Sequence, residues 1–290
     1  MRREFHIMKE IESLNISPVI YLFLREGIES LLILEYIGPA LDEIELQMVP
    51  NVEKYLIMCD MIDILFILQD NGIVHRDLKP DNFCIDANSG KVKIIDFGMA
   101  KQISVNGKFI VQDTMREYMA CGTLDYCSDR SLNYHEPSYR DEWESIVLVF
   151  AFVLLEEFPF MNLKSGQELE MIEYRRLGMK NYIKGMAYKD MYWELIDYFR
   201  NLEFNEKPQK QEILRKLTFP REKSKKPRAR LQNRANHYKN VILDGLVMTD
   251  QVDWKVGQPK NPSLNSNEVE VEYKRRTMTS KVKHAVRHLT

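Results

Sequence analysis

Cysteine is scarce in this chain, and long apolar runs are absent. The four cysteines, Cys59, Cys84, Cys121 and Cys127, show no C-x-x-C spacing. That argues against a disulfide framework and points to a reducing, intracellular compartment. The longest apolar run, Ile146–Leu155, is ten residues, too short to span a bilayer and suited to a fully buried helix. The opening "MRREFHIMKE" is too charged for a secretory signal. No G-x-G-x-x-G occurs, so the glycine-rich loop that cradles phosphates through its N–H groups is missing. No internal repeat is found.

What is present is ordinary globular usage, with 44% apolar and 29% charged residues among 290. The net charge of −2 hides an asymmetry. Residues 221–290 hold sixteen lysines and arginines against seven acids, a charge of +9, which leaves −11 on the first 220 residues. A basic appendage on an acidic body marks a separate segment.

Apolar spacing predicts a helix over Arg2–Leu14. Two apolar runs, Val19–Leu24 and Leu31–Ile37, read as a β-hairpin turning near Gly27. Helical period returns over Val52–Gln69, with Leu56, Cys59, Ile62 and Phe66 on one face, until Asp70–Gly72 stops it. A second hairpin joins Phe83–Asp86 to Val92–Ile95 across "ANSG". From Asp141 the pattern is helical again, with breaks near "FPF" and at Lys207–Pro208. Beyond Phe219 the periodicity fades, and "REKSKKPRAR" reads as a solvated charge run. The expected fold is α+β with an irregular middle.

The chemistry lies in "HRDLKPDNFC" (His75–Cys84) and "IIDFG" (Ile94–Gly98). Phosphoryl transfer to a hydroxyl needs a proton acceptor, metal ions on the phosphates and cations against developing charge. Asp77 is placed to accept the proton, and Lys79 can reach the γ-phosphate. Asn82 offers an amide oxygen and Asp96 a carboxylate to Mg²⁺, which prefers oxygen ligands. Phe97 packs and Gly98 lets the backbone turn. The hairpin between the two motifs brings their ends together. Read blandly, Asp77 is a loop cap and Asp96 a strand end. Arg76 pairs either with a phosphorylated residue or with a nearby carboxylate, and His75 reads as a packed structural histidine.

These motifs identify a protein kinase-like fold, and further stretches resemble the casein kinase 1 group, tau-tubulin and vaccinia-related branches included. "LILEYIGPALDEI" (Leu32–Ile44), "KPDNFCI", "IDFGMAKQI", "YRDEWES" (Tyr139–Ser145) and "YFRNLEFNEKP" follow that group's order and spacing over residues 1–217. The resemblance implies an ATP- and Mg²⁺-dependent Ser/Thr kinase acting on protein Ser/Thr hydroxyls. It implies residues 1–38 as an incomplete N-lobe, 39–217 as a mostly helical C-lobe, and 218–290 as a basic, partly disordered tail. It makes Glu4 the helix glutamate that pairs with the ATP-binding lysine, Leu34 the gatekeeper, and Glu35 to Ile37 the hinge whose backbone meets adenine. Thr123, after Gly122, would brace the catalytic aspartate. Asp141 would anchor the catalytic loop from a central helix. Two departures stand out. The group's Gly-Thr-Ala-Arg-Tyr is here "GTLDY", so Asp125 replaces an arginine that holds phosphate in pre-phosphorylated substrates, and its Ser-Ile-Asn is "SDR" (Ser128–Arg130).

The reading places the sequence start at the Glu4 helix, without the lysine-bearing strand. The expectations that follow are a truncated chain of an active kinase, a pseudokinase interaction scaffold, or weak activity from the C-lobe alone. "KSKKPRAR" (Lys223–Arg230) reads as a nuclear-localisation or nucleic-acid patch, or as a solvated run. "EYKRRTMTSKVKHAVRH" could dock a partner as a basic helix, and it offers Thr277, Thr279 and Ser280 for autophosphorylation. Basic clusters without interleaved aromatics argue against nucleic acid. The expected location is cytoplasmic, nuclear or both, off the membrane.

Overall fold

The structure, a computed structural model, describes residues 2–26, 29–116, 120–155, 173, 179–181, 183–218 and 226–247. The Gly27 turn, the "FPF" break and the sites at Thr277–Ser280 lie outside the described residues. Helix α1 (Arg2–Ile11) buries Glu4, Ile7, Met8 and Ile11, one face at i, i+3, i+4 and i+7. A 3₁₀ turn (Glu12–Leu14) ends it. Strands β1 (Ile20–Glu26) and β2 (Glu29–Leu34) pair antiparallel from Ile20↔Leu34 to Glu26↔Glu29.

The expected second strand ran on to Ile37, but β2 stops at Leu34. The next residues are drawn away by another element: the Ile37 carbonyl accepts from the Ala87 N–H at 3.1 Å, and the Pro39 carbonyl from the Ile85 N–H at 2.9 Å. Gly38 makes this approach possible, because a Cβ there would lie 2.1 Å from the Ile85 carbonyl oxygen. The linking segment is therefore sewn onto the helical lobe.

Helix α2 (Asn51–Asp70) follows, then β3 (Ile73–Val74), β4 (Phe83–Ile85), β5 (Val92–Ile94), β6 (Lys101–Gln102), β7 (Ser104–Val105) and β8 (Lys108–Phe109). These form short antiparallel pairs β3–β6, β4–β5 and β7–β8. The face of α2 read from the sequence is its half-buried flank: Leu56, Cys59 and Phe66 are partly exposed. Ile57, Met58, Met61, Ile62, Ile64, Leu65 and Leu68 lie deepest, because the helix is enclosed on several sides. The hairpin β4–β5 alternates cleanly. Phe83, Ile85, Val92 and Ile94 enter the main core, while Cys84 joins Ile37, Ala40 and Ile95 in a separate small cluster.

The helical block contains α3 (Asp129–Leu132), α4 (Tyr139–Leu155), α5 (Lys189–Arg200), α6 (Lys210–Lys216) and α7 (Pro227–Val247). Every residue of α4 from Tyr139 to Val153 is buried, its charged ones included. Trp143 stacks on Phe199 of α5 with ring centroids 5.3 Å apart. An apolar helix enclosed all round is a scaffold for what surrounds it.

Of the charge run 221–230, Lys226, Ala229 and Arg230 are exposed as expected, but the faded periodicity beyond it hides a packed helix. Leu231 and Ala235 of α7 are fully buried in the main core. Arg228 Nη2 donates to Asp60 Oδ1 at 2.9 Å, Asn236 Nδ2 to the Ala87 carbonyl at 2.9 Å, and Arg234 Nη2 to the Met48 carbonyl at 3.0 Å. Two small apolar contacts at i and i+4, edged by arginines with acceptors, are too sparse to register as periodicity. Among the described residues no helix is long and apolar enough to cross a membrane. Leu231→Ala is expected to cost about 2–4 kcal/mol of unfolding free energy, read by urea titration, since it empties a packed position.

Candidate active site

Asp77 is nearly buried, and its two carboxylate oxygens have different neighbours. Thr123 donates to Oδ1 twice, from its backbone N–H at 2.9 Å and its hydroxyl at 2.7 Å. Oδ2 has Lys79 Nζ at 3.3 Å and Asn82 Nδ2 at 3.4 Å. Asn82 Nδ2 also donates to the Asp77 carbonyl at 2.8 Å. A carbonyl can only accept, so this bond fixes the amide and leaves Asn82 Oδ1 for another partner. The structure thus brings Asp77, Lys79, Asn82 and Thr123 together.

The approach of Thr123 depends on the glycine before it. Gly122 has φ +95°, and a Cβ there would lie 2.7 Å from the Arg76 carbonyl oxygen. Arg76 itself stands in the left-handed region at φ 67°, a conformation that persists only when its surroundings impose it. They do. Glu142 of α4 accepts the N–H of His75 at 2.7 Å on Oε2 and the N–H of Arg76 at 2.8 Å on Oε1.

The resemblance assigned this anchoring to Asp141, and the structure moves it one residue on. Asp141 instead accepts from Ser128 Oγ at 2.7 Å and from the Ser138 N–H at 2.9 Å, bracing the chain that leads into α4. Neighbouring helix residues point about 100° apart, so a shift of one selects a different wall. Sequence reasoning also missed Glu136. Its carboxylate lies 2.6 Å from Lys101 Nζ, 3.6 Å from Arg76 Nη1 and 3.9 Å from Arg116 Nε. Of the two alternatives left open for Arg76, the nearby carboxylate is the one the structure shows. A lone glutamate before Pro137 carries no sequence signal for this. Asp129 of the "SDR" departure pairs, with Glu144, to Arg200 of α5.

His75 is fully buried, and its Nε2 lies 3.0 Å from the Ile95 carbonyl. Burial lowers its pKa, so the ring is neutral and Nε2–H is the donor. The ring meets Phe97 edge-on at 5.1 Å, fixing the strand end next to Asp96. Asp96 stands at φ 63° and accepts from the Gly98 N–H at 3.1 Å. Above it, Arg3 Nη2 donates to the Gly98 carbonyl at 3.1 Å, while Glu4 is buried on the same helix.

Along the linking segment, the Glu35 N–H donates to the Val19 carbonyl at 2.8 Å. The Glu35 carbonyl and the Ile37 N–H have no partner among the described residues. Among the described residues no group of three or more His, Cys, Asp or Glu is gathered for a metal. A donor pair of one carboxylate, Asp96, and one amide oxygen, Asn82, suits Mg²⁺, which keeps waters and takes phosphate oxygens rather than an all-protein cage.

Burial pushes Glu142 up from the ordinary 4.5 to about 7, with Asp141 adding to the rise and the His75 and Arg76 amides and the Arg76 charge opposing it. The folded state then holds this proton more tightly than the unfolded chain. Its contribution to stability is present below about pH 4.5 and is lost as the pH rises through about 7. Urea unfolding between pH 5 and 8 is expected to show a fall in stability that Glu142→Gln flattens, by at most about 3 kcal/mol. Glu142→Ala, which removes the acceptor of the His75 and Arg76 N–H groups, is expected to cost about 2–5 kcal/mol, more at pH 5 than at pH 8.

The comparisons with known proteins agree with this geometry. The family "Protein kinase domain" matches residues 1–228. The chain is 27% identical over 221 residues to Casein kinase I homolog 3 of Schizosaccharomyces pombe, covering 72% of this chain and 50% of that protein. It is 29% identical over 225 residues to Casein kinase I homolog 2 of Saccharomyces cerevisiae, covering 72% of this chain and 40% of that protein. The chain thus spans half or less of the length of these relatives. With the catalytic-loop residues converging as described, the chain belongs to the protein kinase family, and the relatives it resembles here are casein kinase I homologues.

Proposed function

We propose that this chain is a Ser/Thr protein kinase that transfers the ATP γ-phosphoryl group to Ser or Thr hydroxyls of protein substrates. The observation that carries the reading is the one-sided occupation of Asp77. Oδ1 is taken by the two donors of Thr123, so Oδ2 is the oxygen available to orient a substrate hydroxyl and accept its proton. Lys79, 3.3 Å away, places a cation where charge develops on the transferred group. Asp96 and Asn82 would hold Mg²⁺, which neutralises phosphate charge while ATP supplies the group transferred. The Glu35 carbonyl and the Ile37 N–H, both without partners among the described residues, are the backbone groups available to an adenine edge.

The residue types in the catalytic loop support Ser/Thr rather than Tyr as acceptor. Residues 1–38 then serve as the part of the N-lobe that reaches the hinge, and 39–217 as the C-lobe. A location in the cytoplasm or nucleus suits the four free cysteines. The basic segment 218–290 is a candidate partner-binding region, most of it outside the described residues.

The test is phosphotransfer from labelled ATP to casein-like protein, with the acceptor residue read by mass spectrometry. Asp77→Asn is expected to lower the rate about 10³-fold, in line with loss of a positioned base. Thr123→Ala should lose about 10- to 100-fold, and Thr123→Ser should keep most of the activity, since the hydroxyl carries the bond. Absence of transfer by the unaltered chain would overturn the enzyme reading in favour of an interaction scaffold.

A further inference from the structure

One buried charge has no place in the machinery above. Lys93, in the middle of β5, is 7% exposed. Strand alternation decides where it points. It lies directly opposite Cys84 in the β4–β5 register, so the two share a face, and Ile95 two residues on shares it as well. Cys84 packs with Ile37 and Ala40, and Ile95 against them. The face carrying Lys93 is thus the one turned toward the linking segment, not the one in the main core. A lysine in that row is out of character with its neighbours, and a buried ammonium is costly unless paired.

Its partner is Glu35. Lys93 Nζ lies 3.7 Å from Glu35 Oε2, and among the described residues no other carboxylate lies within ion-pair distance of it. The same oxygen accepts from the Val19 N–H at 3.2 Å. The Glu35 backbone N–H closes the arrangement by donating to the Val19 carbonyl at 2.8 Å. Two residues on, Ile37 is held from the other side by the Ala87 N–H. The backbone between Glu35 and Ile37 is therefore suspended between an ion pair with β5 and a hydrogen bond with the turn after β4.

We propose that Lys93 is a positioning residue for the nucleotide: through the Glu35 carboxylate it fixes the height of the Glu35–Ile37 backbone over the β4–β5 floor. The assignment rests on the kinase reading for its ligand, but not for its geometry. Without the ammonium, the partly buried Glu35 carboxylate keeps only one N–H donor. It then turns toward water and carries its own backbone with it, away from the floor that Cys84 and Ile95 provide.

Three measurements on the full chain test this separately. In amide hydrogen exchange without nucleotide, Lys93→Met is expected to speed exchange at Glu35 and Ala87 about tenfold or more, with amides of α4 unchanged, as for local rather than global opening. Lys93→Arg should restore the unaltered pattern. Glu35→Gln, which keeps the side-chain volume, should reproduce the local opening even if Lys93→Met does not fold. In calorimetric titration with Mg·ATP, Lys93→Met is expected to weaken binding about 5- to 20-fold. In transfer assays it should raise KM for ATP by a similar factor while kcat stays within about twofold, as for lost ground-state positioning. Unchanged exchange in both variants, or uniformly faster exchange that includes α4, overturns the assignment. Failure of the unaltered chain to bind Mg·ATP overturns the nucleotide role together with the kinase reading. Local opening in Lys93→Met with unaltered Mg·ATP affinity overturns the nucleotide role alone.

Discussion

The site depends on one carboxylate holding two amides. Glu142 projects from a helix that is buried on every side, and it receives the consecutive N–H groups of His75 and Arg76. Those two bonds hold Arg76 in a left-handed conformation that an arginine does not adopt unaided. The turn they enforce places Asp77 under Thr123, brings Lys79 round to Oδ2 and lets Asn82 close back on the loop. A loop built only of its own residues would have no reason to keep that shape. The enclosed helix supplies the fixed reference, and burial of its charges is the cost of supplying it.

A second set of contacts governs the segment between the sheet and the helical lobe. It has no regular structure, yet its carbonyls at Ile37 and Pro39 are bonded to the β4 end and the turn after it, and Gly38 lets the chains approach. Loops that carry function are commonly positioned by a rigid scaffold. Here the scaffold on one side is the hairpin that also delivers Asp96, so the linking segment and Asp96 are referenced to the same two strands.

What the sequence showed and what it hid follow from range. Asp77, Lys79 and Asn82 lie within one short loop, where spacing alone confines geometry, and Asp96 is carried to them by a hairpin whose turn is visible. Thr123 was legible only through resemblance, because nothing local ties position 123 to position 77. The anchor was misplaced by one residue, since "YRDEWES" offers adjacent acids and the phase of an enclosed helix cannot be read from a pattern apolar on all sides. The face of α2 read from the sequence reaches the deepest layer only at Ile62, for the same reason. Lys93 was invisible because a charge in a three-residue strand looks like solvent exposure until the facing hairpin residue is known. Glu136 gathers its cations from a strand and two separate loops, and no periodicity announces such a meeting.

The last helix separates two meanings of a boundary. The match to the protein kinase domain family ends at residue 228, just inside α7. Burial does not end there: Leu231 and Ala235 belong to the main core, and Asn236 donates to the Ala87 carbonyl, whose own N–H is held by Ile37. One further peptide unit thus connects the helix to the linking segment at Ile37. The span matched by the family and the span held together by contact are different lengths of chain. A change at Asn236 therefore has a short hydrogen-bonded route, through Ala87, to the segment between the sheet and the helical lobe.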